Sequence, residues 1–429
     1  MYLLTDKADI EVAAKFHRSV LASLQQSPDH ESAITYIGII NSADFLLHAY
    51  ELTNNPEFLN ESIAAYHGIL KEPHAQWYHS AVIRQLIQSL HSRFSLSRDR
   101  KDLDEMMQLF PIAATDLFLP VPGRFELSCR WAQSARDFRD SSTFKAYNNS
   151  ISLMQDLLTF APTLETQHFR LITMRNHIET LPLDYASYQV HIGQINKAIE
   201  TLEQGRGLLW SEMRGFRTSI DYLRIVDLPL AETFAGVNRE LEALTTSNPA
   251  DVWMDNGEVD GGEGSQGSQG MDLFGRIAKK QHELLDKRKS LILQIRSLSG
   301  FENFLTSSSF DTLCAVAACG PVIVINHSTW RSDIIIFLHD SPPSLITTSD
   351  DFFSRAKGLK DQLLAARKEG LDSTEYQDTL TPVLKVLYDL VGRPVVKRLQ
   401  ELNIPEQSRI WWCPTSVFCS LPLHAMGPI

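Results

Sequence analysis

A chain of 429 residues is long enough for two or three domains, each with its own core. Its 43% hydrophobic and 21% charged residues are ordinary for a soluble globular protein. The formal net charge of −12, with no block of lysine or arginine, disfavours nucleic acid as a partner.

The five cysteines, Cys129, Cys314, Cys319, Cys413 and Cys419, are few and scattered. None forms a C-x-x-C pair, so neither a disulfide framework nor a zinc site is expected. The N-terminal stretch carries acidic residues early and lacks a long apolar core, unlike a signal peptide. No run approaches the length needed to span a bilayer, so no membrane partner is expected. A cytoplasmic location fits best, with nuclear residence left open.

From residue 1 to 248 the apolar spacing is predominantly helical. Three turn signals punctuate it: Asn54-Asn55-Pro56, Arg98-Asp99-Arg100 and Asp140-Ser141-Ser142. Gly193 supplies a fourth turn, between a helix over 185–191 and another beginning at Ile195. In the latter, Ile195, Ile199, Leu202, Leu209 and Met213 mark a buried stripe, and the small residues Ala198 and Gly205 would let a neighbouring helix approach closely. Alignment of the four post-turn segments makes Ser62, Met106, Ala146 and Ala198 equivalent. Such loosely periodic helical hairpins imply an α-solenoid, because each must stack on its neighbours to bury its apolar face. The Ala198–Leu202–Gly205 spacing resembles the second helix of a tetratricopeptide (TPR) repeat, although the periods exceed those of that family.

A solenoid offers a concave groove, the expected site for a protein partner. Tyr185, Tyr188, Arg206 and Trp210 are candidate contributors, with inter-helix packing of the aromatics as the competing reading. His168, His177 and His191 are too far apart for ligand pairing on one helix, and no metal is expected.

Residues 249–271 are rich in Gly, Ser, Gln and acid and are expected to be a disordered linker. Trp253 and Met254 within it could form a short binding motif or a chance apolar pair. A connecting helix is expected over 272–300, N-capped by Asp272, with Leu273, Ile277, Leu284, Leu285, Leu291, Ile292 and Ile295 buried. Its basic cluster (Lys279, Lys280, Lys287, Arg288, Lys289) reads as a solvated face.

The remainder, 301–429, reads as α/β. Residues 321–326 (PVIVIN) and 333–338 (DIIIFL) are continuous apolar runs, expected as strands buried on both faces and joined as a hairpin. Helices are expected over 350–369 and 376–391, the second broken at residues 392–394. A short helix to Leu402 follows, then a strand over 409–413 and a second extended run ending in LPLHAMG.

That last block, SRIWWCPTSVFCSLPLHAMGPI, resembles the opening motif of the caspase-like CHAT domain in its fungal-type form, usually written WWCPTG…LPLHAAG. Residues 181–213 also resemble the repeat that commonly precedes such domains. The resemblance implies a TPR-like helical region followed by the N-terminal part of a CHAT domain, with the connecting helix docking one onto the other. In that family the catalytic histidine and cysteine lie in later motifs like HFACHG and SAC, and neither string occurs here. His424 matches the non-catalytic histidine of LPLHAAG, and Cys413 an ordinary position of the strand. A Cys419–His424 dyad is the alternative pairing at this end.

Signatures for phosphate loops, serine nucleophiles, zinc proteases and dinucleotides are absent. No catalytic, cofactor or metal residue is therefore assigned. The expectation is a truncated, inactive CHAT protein acting as a protein-binding scaffold. The alternative is a caspase-like cysteine peptidase whose catalytic part is missing from the sequence.

Overall fold

The structure, a computed structural model, describes residues 7–25, 33–116, 119, 121–159, 173–246, 266–302, 304, 309–368, 370 and 373–427. It is mainly helical, with one four-stranded sheet in the C-terminal part. In chain order the helices are α1 (Lys7–Gln25), α2 (Ala33–Thr53), α3 (Pro56–Leu70), α4 (Gln76–Ser97), α5 (Arg100–Thr115), α6 (Val121–Asp137) and α7 (Thr143–Thr159). There follow α8 (Arg175–His191), α9 (Ile195–Val226), α10 (Leu228–Thr246), α11 (Gln266–Arg296) and α12 (Phe310–Val316). The strands β1 (Val322–His327), β2 (Ser332–Phe337) and β3 (Ser344–Thr347) come next, then α13 (Phe352–Arg367), α14 (Thr374–Leu387), α15 (Arg393–Glu401) and β4 (Trp411–Pro414).

The chain forms two compact units, one of Met1–Arg170 with Asp227–Leu293, the other of Leu171–Val226 with Gln294–Ile429. The two units do not follow chain order. The α8–α9 hairpin belongs with the sheet, and α11 contributes to both units. The expected linker lies partly outside the described residues, as do Trp253 and Met254. Its last residues are helical, since α11 begins at Gln266 rather than beside Asp272.

In the helical unit, α1 to α7 pack successively, each chiefly on its neighbours in the chain. The turns after α2, α4 and α6 share one construction. Asn54, Arg98 and Arg139 take φ of 57°, 56° and 56°, closing the preceding helix in the left-handed region. An acid or amide then opens the next helix or turn: Asn55 Oδ1 accepts from the Glu57 amide at 3.1 Å and Asp99 Oδ1 from the Lys101 amide at 3.0 Å. Asp140 Oδ1 accepts from the Ser142 amide at 2.8 Å. Ser62, Met106 and Ala146, the aligned positions, are all fully buried at 0% exposure, as is Ala198 in the other unit.

Large aromatics fill this core, among them Trp131, Tyr66, Tyr147, Phe110 and Phe125. Each contributes about 2–3 kcal/mol of apolar burial. Trp131 satisfies its one polar atom by donating Nε1–H to Ser142 Oγ at 2.9 Å.

In the second unit the sheet order is β3-β2-β1-β4. β1–β2 and β2–β3 are antiparallel, whereas β1–β4 is parallel, with Val322 opposite Trp411 and Ile325 opposite Pro414. Helices cover both faces. Ile323, Ile325, Ile334 and Ile336 join Phe352, Ala356, Leu359, Val383, Leu387 and Val395 from α13–α15. Val322, Val324, Ile335 and Phe337 join Ala186, Val190, Ala198, Ile199 and Leu202 from α8 and α9, with Phe310 and Cys314 of α12. Burial from both sides is why these strands carry unbroken β-branched runs rather than alternation.

Close approach of α8 and α9 depends on Gly205, where a Cβ would stand 2.5 Å from Pro182 Cβ. Pro182 lies inside α8, which begins ten residues before the expected start at Tyr185.

Three further expectations require correction. β3 was not anticipated, because its four residues, three half-buried and one exposed, carry no continuous apolar run. The chain does not break at residues 392–394: a π-helical turn, Tyr388–Gly392, carries α14 directly into α15. The second extended run is two 3-10 turns, Ser416–Ser420 and Leu423–Ala425, which tuck Phe418, Leu421 and Leu423 into the α13–α15 side of the core.

Candidate functional site at the carboxyl end of β1 and β4

The parallel pair β1–β4 brings together the chemically most versatile side chains of the sheet unit. Ligands of open α/β sheets gather at the carboxyl ends of strands. Here β1 ends in His327 and β4 runs into Pro414 and Thr415. Thr415 locks the two strand ends: its Oγ1 donates to the Ile325 carbonyl at 2.9 Å and accepts from the His327 amide at 3.3 Å.

His327 lies flat against Phe353, ring centroids 3.5 Å apart and planes 6° from parallel, with Nδ1 2.8 Å from Ser332 Oγ. Burial lowers its pKa to about 4, so the ring is neutral at physiological pH.

Arg206 of α9 reaches the same end of the sheet, donating from Nη2 to the Cys413 carbonyl at 2.9 Å, with Glu203 at 3.7 Å. Cys419 is exposed and its Sγ donates to the Pro414 carbonyl at 3.3 Å. Desolvation pushes its thiol pKa up, against a smaller lowering by Arg206. A thiol held in this way is a poor nucleophile, since the thiolate is the reactive form. His424 is also exposed, and no hydrogen bond joins it to Cys419 among the described residues. Arg206 acts on the Cys419 thiol, and among the described residues no base makes the thiol contact that nucleophilic catalysis requires.

Beneath the strand ends lies a buried polar set that sequence reading did not single out. Asn326, at 0% exposure, donates from Nδ2 to the Leu183 carbonyl at 3.0 Å and to Ser187 Oγ at 2.9 Å. Its register partner Asp333, also at 0%, receives a forked pair of hydrogen bonds from Arg331 at 2.7 and 2.5 Å. The only sequence cue was a polar residue at the end of each apolar run.

The groove candidates divide differently. Tyr185 is buried, its phenol pushed up to about 12 chiefly by desolvation, and Tyr188 is half-buried. These residues and Arg206 belong to the sheet unit, where Arg206 binds a strand carbonyl. The side chain of Trp210 lies outside the described residues, as does His168. His191 is exposed and meets Trp330 edge-on at 5.5 Å. In the helical unit, a hollow is lined instead by Thr115, Trp131, Phe144, Lys145, Asn148 and Asn149.

Arg288 corrects the reading of the basic cluster as wholly solvated. It is 8% exposed, donates from Nε to Asn238 Oδ1 at 3.0 Å and lies over the Phe234 ring. Among the described residues no His, Cys, Asp and Glu cluster could hold a metal ion, and no helix is long and apolar enough to cross a membrane. No protein-family model matches the chain, and no curated protein matches it.

Proposed function

We propose that the chain is a protein-interaction scaffold: a divergent TPR-like solenoid carrying the N-terminal part of a caspase-like CHAT domain, without peptidase activity of its own. The observation that carries this reading is the successive packing of α1–α7, with similarly capped turns after α2, α4 and α6. Stacked hairpins expose extended surfaces while needing only neighbour contacts for stability. The hollow beside Lys145, Asn148 and Asn149 offers polar groups on an aromatic floor, a combination suited to an extended peptide of a cytoplasmic partner. Support for the inactive assignment comes from the raised pKa of Cys419 and its hydrogen bond to a carbonyl.

The test uses the full chain on a solid support. Proteins retained by the parent are quantified against a Lys145→Glu/Asn148→Asp variant of equal helical content by circular dichroism. Selective loss of retained proteins from the variant is expected, together with no cleavage of a mixed peptide library. An unchanged set of retained proteins would overturn the groove assignment. Peptide cleavage that disappears in Cys419→Ala would establish the peptidase reading instead.

A further inference from the structure

Where α1, α2 and α3 meet in the helical unit, they leave a pocket of about 110 Å³ between them. Among the described residues its walls are Leu24 of α1, Tyr36 and Ile39 of α2, and Ile69 of α3. Tyr36, Ile39 and Ile69 are buried, whereas Gly68, which also lines the pocket, is exposed. A Cβ at Gly68 would meet nothing within 4 Å, so the glycine leaves this side open. At about 30 Å³ for a water molecule or a methylene group, the volume fits an unbranched stem of about four carbons. It is smaller than the roughly 150 Å³ cavity that holds a benzene ring.

Glu72, half-buried and two residues past the end of α3, supplies the charge of the lining. Among the described residues no cation comes within 4.0 Å of its carboxylate. The cations around it are engaged elsewhere or turned to water. His67 stands 2.6 Å from Glu105, Arg18 binds Glu57 and Glu61, and Lys71 is exposed. A carboxylate beyond the C-terminus of a 15-residue helix also sits at the negative end of the helix dipole. Carboxylate and helix end both call for a positive charge, and the apolar walls call for an aliphatic stem behind it.

We propose that this pocket takes a lysine side chain from a basic segment of a partner protein. The four methylenes lie against Leu24, Tyr36, Ile39 and Ile69, and the ammonium meets Glu72. Lysine suits such a seat because its stem covers apolar surface while its head stays at the water boundary. The formal net charge of −12 favours the approach of a basic segment. The pocket shares no residue with the hollow beside Lys145, so failure of either reading leaves the other standing.

The probe is a capped heptapeptide of serine and glycine with one central lysine, titrated against the full chain by saturation-transfer NMR. Expected results are saturable transfer centred on the lysine methylenes and weaker binding as salt is added. Acetylation of the lysine, or norleucine in its place, should weaken binding at least about fivefold, and Glu72→Gln should do the same. Gly68→Leu fills the open side and should abolish binding. Leucine is the better helix former at this exposed position, so the melting temperature of that variant should hold or rise. Absence of saturable transfer, equal binding of the norleucine peptide, or indifference to Glu72→Gln or Gly68→Leu would each overturn the proposal. Tighter binding of pentylamine than of the peptide would assign the pocket to a free amine and overturn it as well.

Discussion

The helical unit and the sheet unit bury comparable kinds of side chain by opposite strategies. In the first, α1 to α7 each find their main partners next to them in sequence. In the second, Asn326 bonds Ser187, 139 residues away, and Arg206 bonds Cys413, 207 residues away. The difference teaches where cooperativity resides. A stack of neighbours can lose one joint and keep the others, whereas the two apolar layers of a sheet covered on both faces share the same strands and fail together.

The largest expected effects test that contrast directly. Met106→Ala and Ile325→Ala each empty a site of 0% exposure and should each cost about 2–5 kcal/mol. Hydrogen–deuterium exchange should then separate the two units. Met106→Ala is expected to speed exchange most in α4–α6 and progressively less beyond. Ile325→Ala should raise exchange in all four strands together. A graded response in the sheet, or a uniform one across α1–α7, would break the comparison.

A pH effect of intermediate size is confined to the sheet unit. His327 has a pKa of about 4 in the fold, below the ordinary 6.5, because burial disfavours its cation. Its contribution is fully present above pH 6.5 and is lost as pH falls toward 4. Urea unfolding at pH 7 and pH 4.5, monitored on the strands by exchange, should show this loss in the parent. His327→Gln should largely remove it.

The smallest effect has the opposite sign and belongs to the helical unit. Asp156 is 7% exposed, and desolvation raises its pKa although Lys289, Arg124 and Arg288 act to lower it. A carboxyl raised in the fold loses stabilisation as pH rises above its ordinary value of 3.8. Asp156→Asn should therefore raise the melting temperature by a few degrees at pH 7 and change it little below pH 3.8. A lower melting temperature at pH 7 would show that the three cations outweigh the desolvation.

Much of this architecture was legible from residues with one physical meaning. Unbroken runs such as VIVIN and DIIIF read as strands covered on both sides, and Asn54-Asn55-Pro56 and Arg98-Asp99-Arg100 marked the turns before α3 and α5. Gly205 declared a close approach before its neighbour, Pro182, was known. What sequence could not disclose was partnership over distance. Nothing in α8 or α9 says that Ala186, Ala198 and Leu202 cover a sheet rather than another helix pair. Arg288 sits in a basic run, and only the fold places Phe234 and Asn238 against it. The terminal apolar run was misread because Phe418, Leu421 and Leu423 are buried through tight turns, where period two has no force. At the candidate site, the Cys413 and Cys419 positions were visible, but the Arg206 and Thr415 contacts that shape it cross long stretches of chain.

The separation between α8 and β1 also has a consequence during synthesis. Ribosomes extend chains at about 5–20 residues per second, so Ser187 emerges on the order of ten seconds before Asn326. Throughout that interval the apolar face formed by Ala186, Val190, Ile199 and Leu202 has no sheet to cover. Stacked helices behind it can fold as they appear. This hairpin must wait, and it marks the stretch of the nascent chain where a chaperone would find the most persistent apolar surface.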